Sequence, residues 1–160
     1  MDLNQLPHES TLTLLPCAYQ KTCSGCTQLH VPYKTQIQNK LARLENVLQA
    51  LDFSTPVQVM SPGTSGLRDR VDYILERTND GLKLGLLSQF RAGQNRHVVD
   101  LKECPQLSHD LNQWLKEFRE RLQSLPGFIN RGSLRLRVSP TGLKGVWFDF
   151  SNEDIKGLLD

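Results

Sequence analysis

Cys17-Ala18-Tyr19-Gln20-Lys21-Thr22-Cys23-Ser24-Gly25-Cys26 sets three thiols in one short stretch, and Glu103-Cys104-Pro105 supplies a fourth far downstream. The chain begins Met1-Asp2-Leu3-Asn4-Gln5, without the basic start and apolar stretch of an export signal. A cytoplasmic location is the expectation, and there thiols stay reduced rather than paired as structural disulfides. No apolar run approaches the roughly 20 residues that span a bilayer, so no membrane partner is expected. Hydrophobic residues at 38% and charged residues at 22% argue against both disorder and a membrane protein. At 160 residues the chain is long enough for one domain with a core of its own, residues 1–16 being an irregular lead-in.

Four reduced thiols with this spacing point to an inorganic centre. One loop supplies three ligands and a distant segment closes the site, a common way to hold a thiolate cluster. Gly25 between the paired cysteines lets the backbone bend and brings amides near sulfur. Pro105 follows the fourth cysteine, as in the bacterial ferredoxin run that ends Cys-Pro. Zinc on four thiolates is the alternative, although zinc sites usually come as two close pairs. Unrelated buried cysteines are the weakest option, because a Cys-x-x-Cys pair has two further partners in the chain.

Working outward, residues 17–33 form a loop with prolines at Pro16 and Pro32. Ile37, Leu41, Leu44, Leu48 and Leu51 step by four and three, which predicts a core-facing amphipathic helix from about Lys34 to Leu51. Val57-Gln58-Val59 suggests a short strand. Val71, Tyr73 and Leu75 alternate with polar residues from Arg70 to Arg77, and Asn79-Asp80-Gly81 turns the chain into a return strand from Leu82. Residues 88–96 read as a polar loop and His97 to Leu101 as another strand. Leu111, Trp114, Leu115, Phe118 and Leu122 line one face of a helix within Leu107 to Leu125, with Ser108 as its N-cap. A second hairpin runs from Ser133 to Val138, turns at Ser139-Pro140-Thr141-Gly142 and returns from Lys144 to Phe150. Two outer elements are also expected, a short strand at Thr11–Leu15 and a helix opened by Ser151. The helix has only about two turns before Asp160, which suggests a longer parent protein. The expected architecture is α+β: an antiparallel sheet of hairpins packed against two main helices, with an iron–sulfur loop.

Net charge is only +2, so any nucleic-acid contact must come from a local patch. Arg68 and Arg70, Arg91 and Arg96, and Arg131, Arg135 and Arg137 cluster. On charge alone a solvated surface, with acids such as Asp69 and Asp72 interspersed, explains them better than a ligand does.

Cys23-Ser24-Gly25-Cys26-Thr27-Gln28-Leu29-His30, followed by Tyr33, Gln36 and Lys40, resembles a stretch of the RNA (uracil-C5-)methyltransferase family. That family, which makes 5-methyluridine in ribosomal and transfer RNA, has Cys-Gly-Gly-Cys-x-Leu-Gln-His there, with Tyr, Gln and Lys at the same spacing. The similarity continues through Leu67-Arg68-Asp69-Arg70, where the family often has Tyr-Arg-Asn-Arg or Tyr-Arg-Asn-Lys, then Leu84-Gly85, and reaches Cys104-Pro105-Gln106-Leu107. Leu67 and Asp69 depart from the family's Tyr and Asn. The resemblance covers most of residues 17 to 110 and is most specific in its four cysteines.

The resemblance implies a [4Fe–4S] cluster on Cys17, Cys23, Cys26 and Cys104, in a domain that grips RNA. Arg68 and Arg70 are its first candidates for RNA contacts, since a guanidinium pairs with phosphate or stacks on an unpaired base. The family's chemistry adds a cysteine to uracil and takes a methyl group from S-adenosylmethionine. With four cysteines on a cluster no thiol remains for covalent addition, and no Gly-rich strand–helix turn suits that cofactor. The expected function is therefore the cluster-bearing RNA-recognition domain of such an enzyme, acting on rRNA or tRNA and not catalytic alone. Its partners are RNA and a catalytic methyltransferase domain, absent here and carried in the same or another chain. A free-standing iron–sulfur or zinc RNA-binding protein, or a small electron carrier, is the alternative.

Overall fold

The computed structural model describes residues 16–53 and 56–150. The expected Thr11–Leu15 strand and the helix opened by Ser151 lie outside them. The described chain is α+β, in the order α1 (Tyr33–Ala50), β1 (Arg70–Thr78), β2 (Gly81–Leu87), β3 (Val98–Asp100), α2 (His109–Leu122), β4 (Arg131–Val138) and β5 (Lys144–Asp149). The strands form one five-stranded sheet in the order β3-β2-β1-β4-β5, and every pairing is antiparallel.

Local chemistry sets both hairpins. Thr78 pairs with Gly81 across the two-residue turn Asn79-Asp80, and Gly81 has φ 113°. That backbone angle is open to glycine and strained for other residues. In the β4–β5 connection the Gly142 N–H donates to the Ser139 carbonyl at 2.9 Å, and Ser139 N–H to that of Leu143 at 2.8 Å. Alternation then sorts the side chains of β1 and β4. Tyr73 and Leu75 of β1 face the core with Leu134, Leu136 and Val138 of β4, while Arg70, Asp72, Arg135 and Arg137 face solvent.

Helix α2 covers the core face. Leu111, Leu115 and Leu122 are buried among the strand residues, each contributing about 1.5–3 kcal/mol. Ser108 is its N-cap, its hydroxyl accepting from the Leu111 N–H at 3.4 Å. At the other end Arg77 donates to the carbonyls of Leu125, Pro126 and Ile129 at 3.0–3.1 Å, serving carbonyls just past the helix. Arg119 ties the helix to the β2–β3 side. Its guanidinium pairs with Asp100 and donates to the carbonyls of Leu84 and Leu101, both at 3.1 Å.

Two sequence expectations are corrected. Only Ile37 of α1 is buried, and Leu44, Val47 and Leu51 are exposed, so this helix adds nothing to the sheet's core. Periodicity revealed an apolar stripe but not what covers it; α1 lies beside the cysteine loop, with the Gln36 amide donating to the carbonyls of Gln28 and Val31. Val57-Gln58-Val59 is irregular rather than a strand, since a run of three residues with no partner strand has no ladder to join. Among the described residues no helix is long and apolar enough to cross a membrane.

Asp100 makes the fold sensitive to acid. Burial opposes its ionisation, but the Leu84 N–H, Lys102 and Arg119 outweigh burial and hold the carboxyl below its ordinary value of 3.8. A depressed native value gives stability that is complete above the unfolded value and is lost as pH falls through the native one. Asp100→Asn should therefore be least stable relative to the unsubstituted chain at neutral pH. The gap should narrow once pH drops below about 4, as read by urea denaturation across pH.

Candidate metal centre

The cysteine loop is held against the β2 end of the sheet by its main chain. Cys23 bridges to Ser88, the Ser24 N–H donates to the Leu87 carbonyl at 3.1 Å, and the Gln89 N–H to that of Thr22 at 2.7 Å. Within the loop the Cys23 N–H returns to the Tyr19 carbonyl at 2.8 Å, curling Cys17 to Cys23 into successive turns. The polar loop at 88–96 then clamps it from outside. Gln89 donates its amide to the carbonyls of Gln20 and Cys23, Arg91 reaches that of Lys21, and Arg96 reaches the Ser24 hydroxyl and the Ser88 carbonyl.

Cys104 comes from the opposite direction, on the link from β3 to α2. Asn112, one turn into the helix, fixes it: the Cys104 N–H donates to the Asn112 side-chain oxygen at 2.9 Å. The same amide donates back to the carbonyls of Cys104 at 2.9 Å and Leu107 at 3.1 Å. Tyr19 ties the two segments together, its hydroxyl accepting from the Lys102 N–H at 3.1 Å.

Cys17, Cys23, Cys26 and Cys104 all line one small cavity. Val71, Leu86, Leu101 and Leu107 make its apolar wall. The four thiols are free and half-buried. The thiols of Cys23 and Cys26 are pushed up by burial, and further by charge on Cys104 and Cys17, while Arg68 acts in the opposite sense. Cys17, Cys23 and Cys104 are therefore each within electrostatic reach of Cys26. Gly25 donates its N–H to the Cys23 sulfur at 3.3 Å. A Cβ there would come within 2.7 Å of a terminal methyl of Leu86, which can shift aside. Gly85 is the strictly constrained glycine, since a Cβ would meet the Val99 carbonyl oxygen at 1.9 Å.

Among the described residues, no three His, Cys, Asp or Glu side chains are gathered tightly enough to share a single metal ion as they stand. Four thiols, a backbone N–H aimed at sulfur and an apolar wall suit a thiolate-bound centre. Tyr73 adds to this fit. It lines the cavity, is 1% exposed, and its hydroxyl has no hydrogen-bond partner among the described residues. Burial first, then the nearby Cys104 and Cys23, push its ionisation far above the ordinary range. A buried donor without an acceptor costs about 1–3 kcal/mol, and sulfur ligands carrying charge would accept from it.

The two arginines singled out in the sequence part company. Arg68 lines the cysteine cavity and an adjoining open groove of about 520 Å³, where Tyr33, Gln36, Lys40 and Met60 also stand. Its main chain is pinned on both sides, N–H to Gln106 and carbonyl to the Ser108 N–H, both at 2.9 Å. Arg70 stands on the solvent face of the sheet, 3.3 Å from Asp72. Gln89, Arg91, Arg96 and Asn112 hold the cysteine segments, a role their sequence context does not reveal. Composition gave no signal for them, because polar loop residues and a helix asparagine look the same whether or not a thiol loop sits above. Tyr73 did leave a trace: a tyrosine on the buried face of an alternating strand needs a partner for its hydroxyl.

No protein-family model matches the chain. It is similar to an uncharacterized RNA methyltransferase of Bdellovibrio bacteriovorus, 42% identical over 93% of this chain and 36% of the relative. It also resembles the 23S rRNA (uracil(1939)-C(5))-methyltransferase RlmD of Halomonas elongata, 28% identical over 78% of this chain and 26% of the relative. RlmD of Aliivibrio fischeri is 25% identical over 90% of this chain and 34% of the relative. The chain spans about a third of the length of these curated relatives, or less.

Asn112→Ala should strip the Cys104 segment of its side-chain partner and lower stability by about 1–3 kcal/mol. Urea denaturation measures the loss. Hydrogen exchange at the Cys104 amide should accelerate more than at the amides of β1.

Proposed function

Because the chain is homologous along nearly its whole length to a part of RNA methyltransferases, we propose that it is the iron–sulfur-bearing RNA-recognition part of an RNA (uracil-C5-)methyltransferase. The observation that carries this reading is the convergence of Cys17, Cys23, Cys26 and Cys104 on one cavity, from two segments far apart in sequence. Those four thiolates hold a [4Fe–4S] cluster, and the Gly25 N–H steadies the Cys23 sulfur. When bound, the cluster supplies a covalently ligated joint between the cysteine loop and the Cys104 segment. The role is structural, because the four thiols join two segments far apart in sequence against one sheet.

The RNA is rRNA or tRNA, and the surface that meets it is the groove beside the cluster cavity together with the adjacent sheet face. Lys40 and Arg68 stand in the groove and Arg70 lies beside it in sequence. Guanidiniums there pair with phosphate or stack on unpaired bases, which is how folded RNA is gripped outside regular helices. With all four cysteines of the chain on the cluster, none is free to add to uracil. Methyl transfer from S-adenosylmethionine then belongs to a catalytic domain in the same or another chain.

Anaerobic purification should give a brown protein with broad visible absorption and about four irons per chain. Cys104→Ser should lose most of that iron while Cys-free positions such as Gln113→Ala leave it unchanged. A colourless protein holding one zinc ion overturns the iron assignment.

Arg68→Gln with Arg70→Gln should weaken binding to unpaired RNA. The slope of log affinity against log salt should fall by about 1.4, roughly 0.7 for each phosphate contact removed. Unchanged binding across salt, measured by filter retention or anisotropy, takes both residues out of the RNA surface.

A further inference from the structure

The iron–sulfur reading leaves one buried group without a task. Tyr73 sits in β1, opposite Leu134 of β4, and is 99% buried in a core whose other buried members are apolar. A phenylalanine would fill the same volume without bringing a hydroxyl into an apolar interior, so the oxygen calls for a partner.

The neighbours narrow that partner down. The ionisable groups whose charge reaches the Tyr73 oxygen are Cys104, Cys23, Arg119 and Tyr19. Arg119 has donors only and cannot accept a hydrogen bond, and its guanidinium already serves Asp100 and the carbonyls of Leu84 and Leu101. The Tyr19 hydroxyl is engaged by the Lys102 N–H, and among the described residues no protein acceptor lies within hydrogen-bond distance of the Tyr73 oxygen. Sulfur is the acceptor chemistry that its cavity gathers, from four cysteines. Tyr73 lines the same cavity as the four cysteines, from the sheet side and therefore beneath the loop that carries three of them.

We propose that the Tyr73 hydroxyl donates a hydrogen bond to a sulfur of the metal centre, a thiolate of Cys104 or Cys23 or an inorganic sulfide beside them. The proposal rests on the iron–sulfur reading above. Tyr73 is then a positioning residue that steadies the centre and sets how readily it is reduced. A donor to sulfur offsets the negative charge that the reduced state adds, so it raises the reduction potential. It also draws electron density off the iron–sulfur bonds and anchors one ligand from the rigid sheet.

The test compares the unsubstituted protein with Tyr73→Phe, both purified anaerobically and carrying their clusters. Tyr73→Phe should shift the midpoint potential downward in a spectroelectrochemical titration. It should lose iron to a chelator faster, by about 10-fold. Resonance Raman of the unsubstituted protein should show an iron–sulfur stretching mode that moves on transfer to deuterated water, and Tyr73→Phe should lose that movement. Replacing Tyr73 by 3-fluorotyrosine, a stronger donor of nearly the same shape, should shift the potential upward. This second variant keeps the proposal testable if Tyr73→Phe does not fold.

Clusters with equal potentials and equal isotope responses in all three proteins overturn the role of Tyr73 and leave the iron–sulfur reading standing. An unsubstituted protein that holds no iron overturns that reading, and the tyrosine proposal with it.

Discussion

Two stretches of chain far apart in sequence are pressed against the same sheet, and everything at the candidate site follows from that. Main-chain bonds from Ser24 to Leu87 and from Gln89 to Thr22 fix the cysteine loop to the end of β2 and the chain just beyond it. Asn112 fixes Cys104 from the helix side through two hydrogen bonds and holds the Leu107 carbonyl with a third. Neither segment has regular secondary structure of its own. Each takes its geometry from an element already committed to the core, so four thiols can meet without any of the loops being rigid in isolation.

The core is arranged to keep those elements in place. Asp100, at the end of β3, meets the Leu84 N–H of β2 and the Arg119 guanidinium of α2. Arg119 also reaches the carbonyl of Leu101, which opens the link to Cys104. The partners of Asp100 outweigh the cost of burying its charge, so the pair favours the fold as well as fixing register. It sets how the helix lies over the β2–β3 edge, and thereby where Asn112 holds the fourth cysteine. The leucines of α2 supply the burial energy, but leucines slide and re-pack, whereas a guanidinium shared among three acceptors does not.

Much of this was legible in the residues and some was not, for definite reasons. The two hairpins and α2 follow from alternation, from Asn79-Asp80-Gly81 and from the Ser108 cap, all of which act within a few residues. Spacing marked the four cysteines as a set, and the chain does bring them to one cavity. The apolar period of α1 marks a stripe but not a core face, because a period of 3.6 says nothing of what lies opposite. Arg91 and Arg96 looked like part of a basic surface, yet both donate to the cysteine loop. An arginine that closes a loop and one that awaits a phosphate are the same letter in sequence; only the carbonyls around them tell the two apart.

Arg68 joins the two halves of the proposed function. Its main chain is held by Gln106 and Ser108, the residues that follow Cys104, so its position depends on how the fourth cysteine is placed. Its side chain lines the cysteine cavity on one side and the open groove with Lys40 and Gln36 on the other. Its charge favours the thiolate forms of Cys23 and Cys26. A cation shared in this way cannot be moved toward an RNA phosphate without weakening its hold on the thiolates, since the same charge faces both. Arg68 is thereby an arginine whose backbone is fixed by the residues after Cys104 and whose charge is divided between the thiols and the groove.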